Sequence, residues 1–141
     1  MQTFLHYKLT YFFVLLQIFV SFDILYADIS TNSYCQLTVQ KVTQQVSNFH
    51  QLITLAKQYK HNRKALAKKE DIKKVEFKKA SDNLYLSFGI TAKEYVTYMG
   101  KYGEKVNAFL ESNKNIKQQL NELLSERDML LEEYESTKND N

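Results

Sequence analysis

The amino-acid sequence predicts an all-α protein: a small bundle of about four helices, with long helical hairpin character, that follows an N-terminal signal or anchor segment. The chain has 141 residues and no proline, its apolar residues recur at intervals of three and four, and no stretch alternates as a strand would. We expect residues 1–27 to be a signal peptide or an uncleaved membrane anchor, residues 28–136 a helical domain, and residues 137–141 a disordered tail.

The N-terminal apolar run predicts export. In residues 9–20 only Thr10 and Gln17 are polar, and the run fits the roughly 7–15 apolar residues of a secretory signal. It is shorter than the ~20 residues that cross a bilayer core. Ala27 supplies a small residue at the cleavage position. We therefore predict a periplasmic or secreted protein, and the alternative is an uncleaved anchor over residues 9–26.

The first helix is predicted from Cys35 to Lys60 by a heptad-like apolar seam. Its members follow each other at three and four residues: Val39, Val42, Val46, Phe49, Ile53 and Ala56. Such a seam marks one face of an amphipathic helix. It is either the core of the bundle or a surface that self-associates or holds a partner helix.

The second helix is predicted from Arg63 to Phe88, and its first half is poor in core residues. Glu70 and Lys73 interrupt the apolar row there, and no glycine or proline marks its start. The sequence at residues 60–63 therefore leaves two alternatives open. The first two helices are either separated by a turn or continuous.

The boundary between the second and third helices carries the clearest local signals. Gly89 can take the left-handed conformation that ends a helix. Thr91 and Glu94 have the spacing of a capping box, in which each side chain binds the other residue's backbone amide. Ile90 and Tyr95 stand where a hydrophobic staple closes. We therefore predict a helix start at Ala92.

The third helix is predicted to run from Ala92 to about Glu111, with a kink or break at Gly100 and Gly103. Glycine costs about 1 kcal/mol inside a helix relative to alanine, so two in one stretch weaken it. The fourth helix is predicted from about Lys114 to Ser136. Its apolar seam repeats like that of the first helix.

No catalytic, cofactor or metal site is predicted. His50 and His61 are eleven residues apart, which on a continuous helix separates them by ~16 Å. Cys35 is the only cysteine and has no partner for a redox pair. Three glycines do not form a phosphate-binding loop. We expect a protein that is not an enzyme.

Charge is concentrated in residues 57–79, which hold ten basic and three acidic residues, a net of +7. The stretch predicts attraction to an anionic partner such as a membrane surface or an acidic polymer. The predicted export disfavours nucleic acid as the partner of this basic segment. The alternative is loose pairing with residues 80–141, whose net charge is −4 from seven basic and eleven acidic residues. The candidate binding residues are Lys57, Lys60, Lys64, Lys68, Lys69, Lys73, Lys74, Lys78 and Lys79.

We therefore predict a small exported helical protein that acts by binding, as an envelope adaptor, assembly factor or chaperone-like protein. Its partner is an unknown protein or a second copy held by the apolar seams. The alternative is a peripheral membrane or polyanion binder that uses the basic segment. In general character the chain resembles small envelope chaperones, whose motif is Leu-Thr-x-x-Gln. Leu37 and Thr38 match the start of this motif, but Lys41 stands where the motif has glutamine.

Overall fold

The computed structural model describes residues 31–139, and this part of the chain is helical with no strand. The described part of α1 covers residues 31–58. The later helices are α2 (Arg63–Ser87), α3 (Ala92–Ser112) and α4 (Lys114–Asn139). The prediction of a small all-helical bundle is therefore confirmed. The predicted signal or anchor segment lies outside the described residues. In residues 31–139 no helix is long and apolar enough to cross a membrane.

A turn separates α1 from α2, which decides between the two alternatives that the sequence left open. Residues 59–61 form the turn, and the Asn62 side chain caps α2 by accepting a hydrogen bond from the Ala65 amide at 3.0 Å. The amide of a first-turn residue would otherwise lack a partner. The cap thus fixes the start of α2 without a glycine or proline.

The predicted boundary between α2 and α3 is confirmed in detail. Gly89 has φ of +71°, a conformation that costs other L-residues energy. Thr91 Oγ1 accepts from the Glu94 amide at 3.2 Å, and the Thr91 amide donates to Glu94 Oε2 at 2.6 Å. The hydrogen bond from the Thr91 amide lowers the pKa of the Glu94 carboxyl. Ile90 packs against the buried cluster that contains Tyr95, the residue with which a hydrophobic staple would pair it.

α3 is kinked at Tyr102, which lies between the two glycines that predict a break. Tyr102 has φ of −119° and ψ of 23°, outside the helical range, while hydrogen bonding continues on both sides. The flanking residues Gly100 and Gly103 weaken the helix at this point. The prediction of a kink is confirmed.

α4 ends later than the sequence predicts. It continues through Asn139 rather than stopping at about Ser136. Lys138 Nζ contacts the buried carboxylate of Glu70 at 3.1 Å, so the last turn has a tertiary contact that sequence periodicity could not reveal. Of the predicted disordered tail, residues 137–139 are helical, and residues 140–141 lie outside the described part.

The α1 seam forms the centre of the bundle. Val46 and Ile53 are buried against Leu130 of α4, and half-buried Phe49 packs on the same cluster. Two side-chain contacts show the relative direction of α1 and α4: His50 lies 3.6 Å from Glu126, and Lys57 pairs with Glu133. His50 precedes Lys57 by seven residues, and their partners on α4 follow the same order with the same spacing. The two helices therefore run in the same direction.

A second cluster lies where α1 meets the end of α2 and the start of α3. Leu37, Tyr85 and Tyr95 are its buried members. Tyr34 stacks on Tyr98 with ring centroids 3.6 Å apart and planes 1° apart. The Thr38 hydroxyl hydrogen bonds that of Tyr95 at 2.8 Å. These contacts join the start of the described α1 to α3, and Tyr85 of α2 packs on Tyr95 with ring centroids 5.6 Å apart.

Gly89→Ala should destabilise the protein by ~1–2 kcal/mol, because alanine must adopt a left-handed conformation there. The matched control is Gly100→Ala, which places a methyl group in a helix with nothing within 4 Å. That control should raise the free energy of unfolding by about 0.5–1 kcal/mol. Urea denaturation measures both. A stabilising Gly89→Ala would contradict the assignment.

Thr91→Ala should cost ~1 kcal/mol, because it removes the side chain that caps the first turn of α3. Thr91→Ser keeps a hydroxyl in the same place and should change the unfolding free energy by only a few tenths of a kcal/mol. Thermal denaturation of both variants measures the difference. Equal losses would show that the hydroxyl does not act as the cap.

Candidate functional site: the outer face of α2

The nine candidate lysines do not form one cluster. Lys57 is on α1, Lys60 is in the turn, and the others are on α2. Lys57 is already paired, because its Nζ lies 2.7 Å from Glu133 of α4. The candidate lysines therefore differ both in the element on which they lie and in whether they form an ion pair.

Three of the α2 lysines are neutralised within their own helix. Lys73 pairs with Glu76 at 2.6 Å, Lys74 with Asp71 at 3.1 Å, and Lys78 with Asp82 at 2.8 Å. All three partners are three or four residues away, the spacing at which helical side chains meet. Counting charge along the sequence therefore overstates what this segment offers to a partner.

The acidic C-terminal half does not neutralise α2, which was the alternative to an anion-binding site. Within the described residues, no lysine of α2 pairs with a carboxylate of α4. The α4 acids that face the rest of the bundle reach α1 instead: Glu126 lies 3.6 Å from His50, and Glu133 pairs with Lys57. The positive charge on the outside of α2 is therefore left available.

Five of the nine lysines are exposed and make no ion pair with any described residue. They are Lys60, Lys64, Lys68, Lys69 and Lys79. Lys64, Lys68 and Lys79 lie on the same side of α2, because separations of four and eleven residues are close to whole turns of an α-helix. This side points away from the buried Leu66.

Three apolar side chains share that side of α2. Ile72 is 48% exposed, Val75 70% and Leu86 65%. With the three lysines they form a line along the helix of about 33 Å at ~1.5 Å per residue. We call this line the outer stripe; its members are Lys64, Lys68, Ile72, Val75, Lys79 and Leu86. In the sequence, Ile72 and Val75 stand beside the row of apolar residues that is expected to form the core. Their helical spacing from the lysines is the feature of the sequence that places them on the same side of α2.

Glu70 sets the orientation of α2 from the opposite side. Its side chain is buried, with 5% of the residue exposed. It accepts a hydrogen bond from the Tyr134 hydroxyl and one from Lys138 Nζ, both on α4. A buried carboxylate without such partners would be very costly. The residue that interrupts the apolar row in the sequence is therefore part of the core.

The contact with Glu70 also changes the chemistry of Tyr134. Burial, together with the hydrogen bond to Glu70 and its negative charge, raises the pKa of the Tyr134 hydroxyl well above the ordinary value of 10.0. Ionised Tyr134 would place a second negative charge against a buried carboxylate. The hydroxyl is therefore held as a donor.

The remaining candidates for chemistry are separated from each other. His50 is exposed and contacts Glu126, His61 lies in the turn after α1, and Cys35 is buried near the start of the described α1. Burial raises the pKa of the Cys35 thiol. Residues 31–139 contain no group of three or more His, Cys, Asp or Glu side chains that could hold a metal ion.

Comparisons of the chain with protein-family models, with curated proteins and with solved structures found no match in any of the three.

Tyr134→Phe should destabilise the protein by roughly 1–3 kcal/mol, because Glu70 stays buried and loses a donor. The matched control is Tyr59→Phe, at a half-buried tyrosine in the turn after α1; it should cost only a few tenths of a kcal/mol, as substitutions away from buried networks do. Urea denaturation at neutral pH measures both. Similar costs at the two sites would contradict the buried network.

The loss of stability caused by Tyr134→Phe should depend on pH in the alkaline range. Tyr134 ionises near pH ~10 when unfolded and at a higher pH when folded. The stability that it contributes is thus complete below about pH 10 and declines as the pH rises toward the folded pKa. The difference in unfolding free energy between the wild type and Tyr134→Phe should shrink over that range. A difference that grows with pH would contradict the assigned shift.

Proposed function

We propose that this protein acts by binding, and that the outer face of α2 holds an extended anionic partner. The observation that carries the proposal is the set of three exposed lysines, Lys64, Lys68 and Lys79, on one side of a helix with no carboxylate partner among the described residues. The proposal includes no catalytic group, cofactor or metal ion.

The arrangement suits an extended anion better than a single phosphate. Lys64 and Lys79 are separated by about 22 Å along the helix, at ~1.5 Å per residue. An ammonium group is a hydrated point charge without the forked geometry with which arginine holds one phosphate. Each lysine near an anionic surface contributes about 1 kcal/mol, and salt screens that contribution. The binding is therefore a sum over several weak contacts.

The apolar seam of α1 supports the choice of α2 as the binding surface. The sequence predicts that this seam either forms the core or holds a partner helix. Val46, Ile53 and Ala56 are buried within the chain's own bundle, so the adaptor, assembly or chaperone-like role would operate through another surface. Export, as the N-terminal run predicts, would bring α2 to a compartment that contains lipid headgroups and acidic polymers.

The test is the triple variant Lys64→Gln, Lys68→Gln and Lys79→Gln, measured by fluorescence anisotropy with dye-labelled long-chain polyphosphate. The affinity should fall at least ~10-fold at low salt, because about 1 kcal/mol is removed at each site. Glutamine is a comparable helix former, so far-UV circular dichroism should be unchanged. Wild-type binding should weaken steeply with added salt.

The matched control removes the same charge elsewhere: Lys93→Gln, Lys105→Gln and Lys114→Gln, all exposed and on α3 or α4. It should keep most of the affinity. Equal losses in the two triple variants would mean that only the net charge matters. Unchanged binding in the α2 variant would exclude this face. Either result overturns the proposal.

A further inference from the structure

We infer that the anionic partner of α2 is the surface of a lipid bilayer that contains anionic headgroups. The inference rests on the proposed function and goes further, because it assigns a role to the apolar half of the outer stripe. Ile72, Val75 and Leu86 are exposed large apolar residues on the same side of α2 as the unpaired lysines.

The order of side chains along the outer stripe distinguishes a bilayer from a soluble polyanion. Two lysines are followed by Ile72 and Val75, then by Lys79 and finally by Leu86. A polyphosphate chain has no apolar part, so it would engage the lysines and leave the apolar side chains in water. The headgroup boundary of a bilayer accepts both kinds of group, since apolar side chains enter it while lysines reach the headgroups.

The acidic residues of α2 are arranged so that they do not oppose this contact. Asp82 lies on the same side of α2 as the outer stripe, five helical turns from Lys64, and Asp71 lies next to that side. Unpaired carboxylates there would repel an anionic surface. Each is instead paired within the helix, Asp71 with Lys74 at 3.1 Å and Asp82 with Lys78 at 2.8 Å. Lys74 and Lys78 thus contribute by neutralising these two carboxylates.

The inner side of α2 stays occupied during such a contact. Leu66 and Glu70 are buried, and Glu70 is tied to α4 through Tyr134 and Lys138. The helix is therefore presented by a folded bundle, and its outer stripe can lie parallel to the membrane surface without unfolding. Three apolar side chains make a shallow insertion, so the binding should be reversible and should require charge and apolar contact together.

The experiment is co-sedimentation with vesicles of equal parts phosphatidylcholine and phosphatidylglycerol, beside vesicles of phosphatidylcholine alone. The wild type should bind the mixed vesicles and not the neutral ones. The triple variant Ile72→Gln, Val75→Gln and Leu86→Gln should lose at least ~10-fold in vesicle affinity, as three apolar side chains no longer enter the interface. Its affinity for polyphosphate should stay within about twofold, because its lysines are intact.

A matched control removes three exposed apolar side chains from other helices: Val96→Gln, Met129→Gln and Leu131→Gln. This variant should bind mixed vesicles like the wild type. Circular dichroism and the oligomeric state from size-exclusion chromatography with light scattering are measured for every variant. They separate a loss of binding from a loss of folding or a change in self-association.

The outcomes distinguish this inference from the proposed function. If the apolar variant of α2 keeps its vesicle affinity while the lysine variant loses both ligands, the partner is a soluble polyanion; the membrane inference fails and the proposed function stands. If the lysine variant keeps both ligands, the proposed function fails. If the apolar variant converts a wild-type dimer to a monomer, the outer stripe is a contact between two copies and the membrane inference is overturned.

Discussion

The buried carboxylate of Glu70 is the constraint on which the arrangement of α2 depends. A charge that is only 5% exposed must be met by donors, and both donors, Tyr134 and Lys138, come from the final turns of α4. Rotation of α2 about its axis would bury the carboxylate against apolar atoms or leave the donors unpaired. The polar contact therefore fixes the rotation of α2 about its axis, which the interrupted apolar row alone could not fix. The same rotation determines which side chains of α2 face outward.

This constraint explains how a helix with little apolar surface at its start belongs to the bundle. Leu66 and Glu70 point inward together, one turn apart, so an apolar contact and a polar one replace a continuous hydrophobic seam. In proteins generally, replacement of both partners of a buried ion pair by well-packed apolar residues is often neutral or stabilising. In the observed placement of α2 and α4, Tyr134 and Lys138 both donate to Glu70, and a shift of either helix would separate the carboxylate from these donors.

Most of the fold was predictable from the sequence because its signals are local. The capping box at Thr91 and the left-handed Gly89 involve neighbours in the chain, and the α1 seam repeats with the helical period. The late end of α4 and the burial of Glu70 depend on residues more than sixty positions apart. The candidate site was predicted in composition only: the sequence located the lysines, but a count of charges did not separate those without a carboxylate partner, such as Lys64, from those neutralised within the helix, such as Lys74. The local spacing of Lys74 and Asp71 was a signal for that separation.

The stacked tyrosines near the start of the described α1 give the molecule an optical property of its own. The chain contains ten tyrosines and no tryptophan, so no indole signal masks the phenol rings. Tyr34 and Tyr98 lie face to face at 3.6 Å, and Tyr102, at the kink, touches Tyr98 with centroids 4.9 Å apart. Rings held in a fixed mutual orientation give near-ultraviolet circular dichroism that disappears when tertiary packing is lost. The α1–α3 contact thus carries a built-in spectroscopic reporter, independent of the helical signal from the backbone.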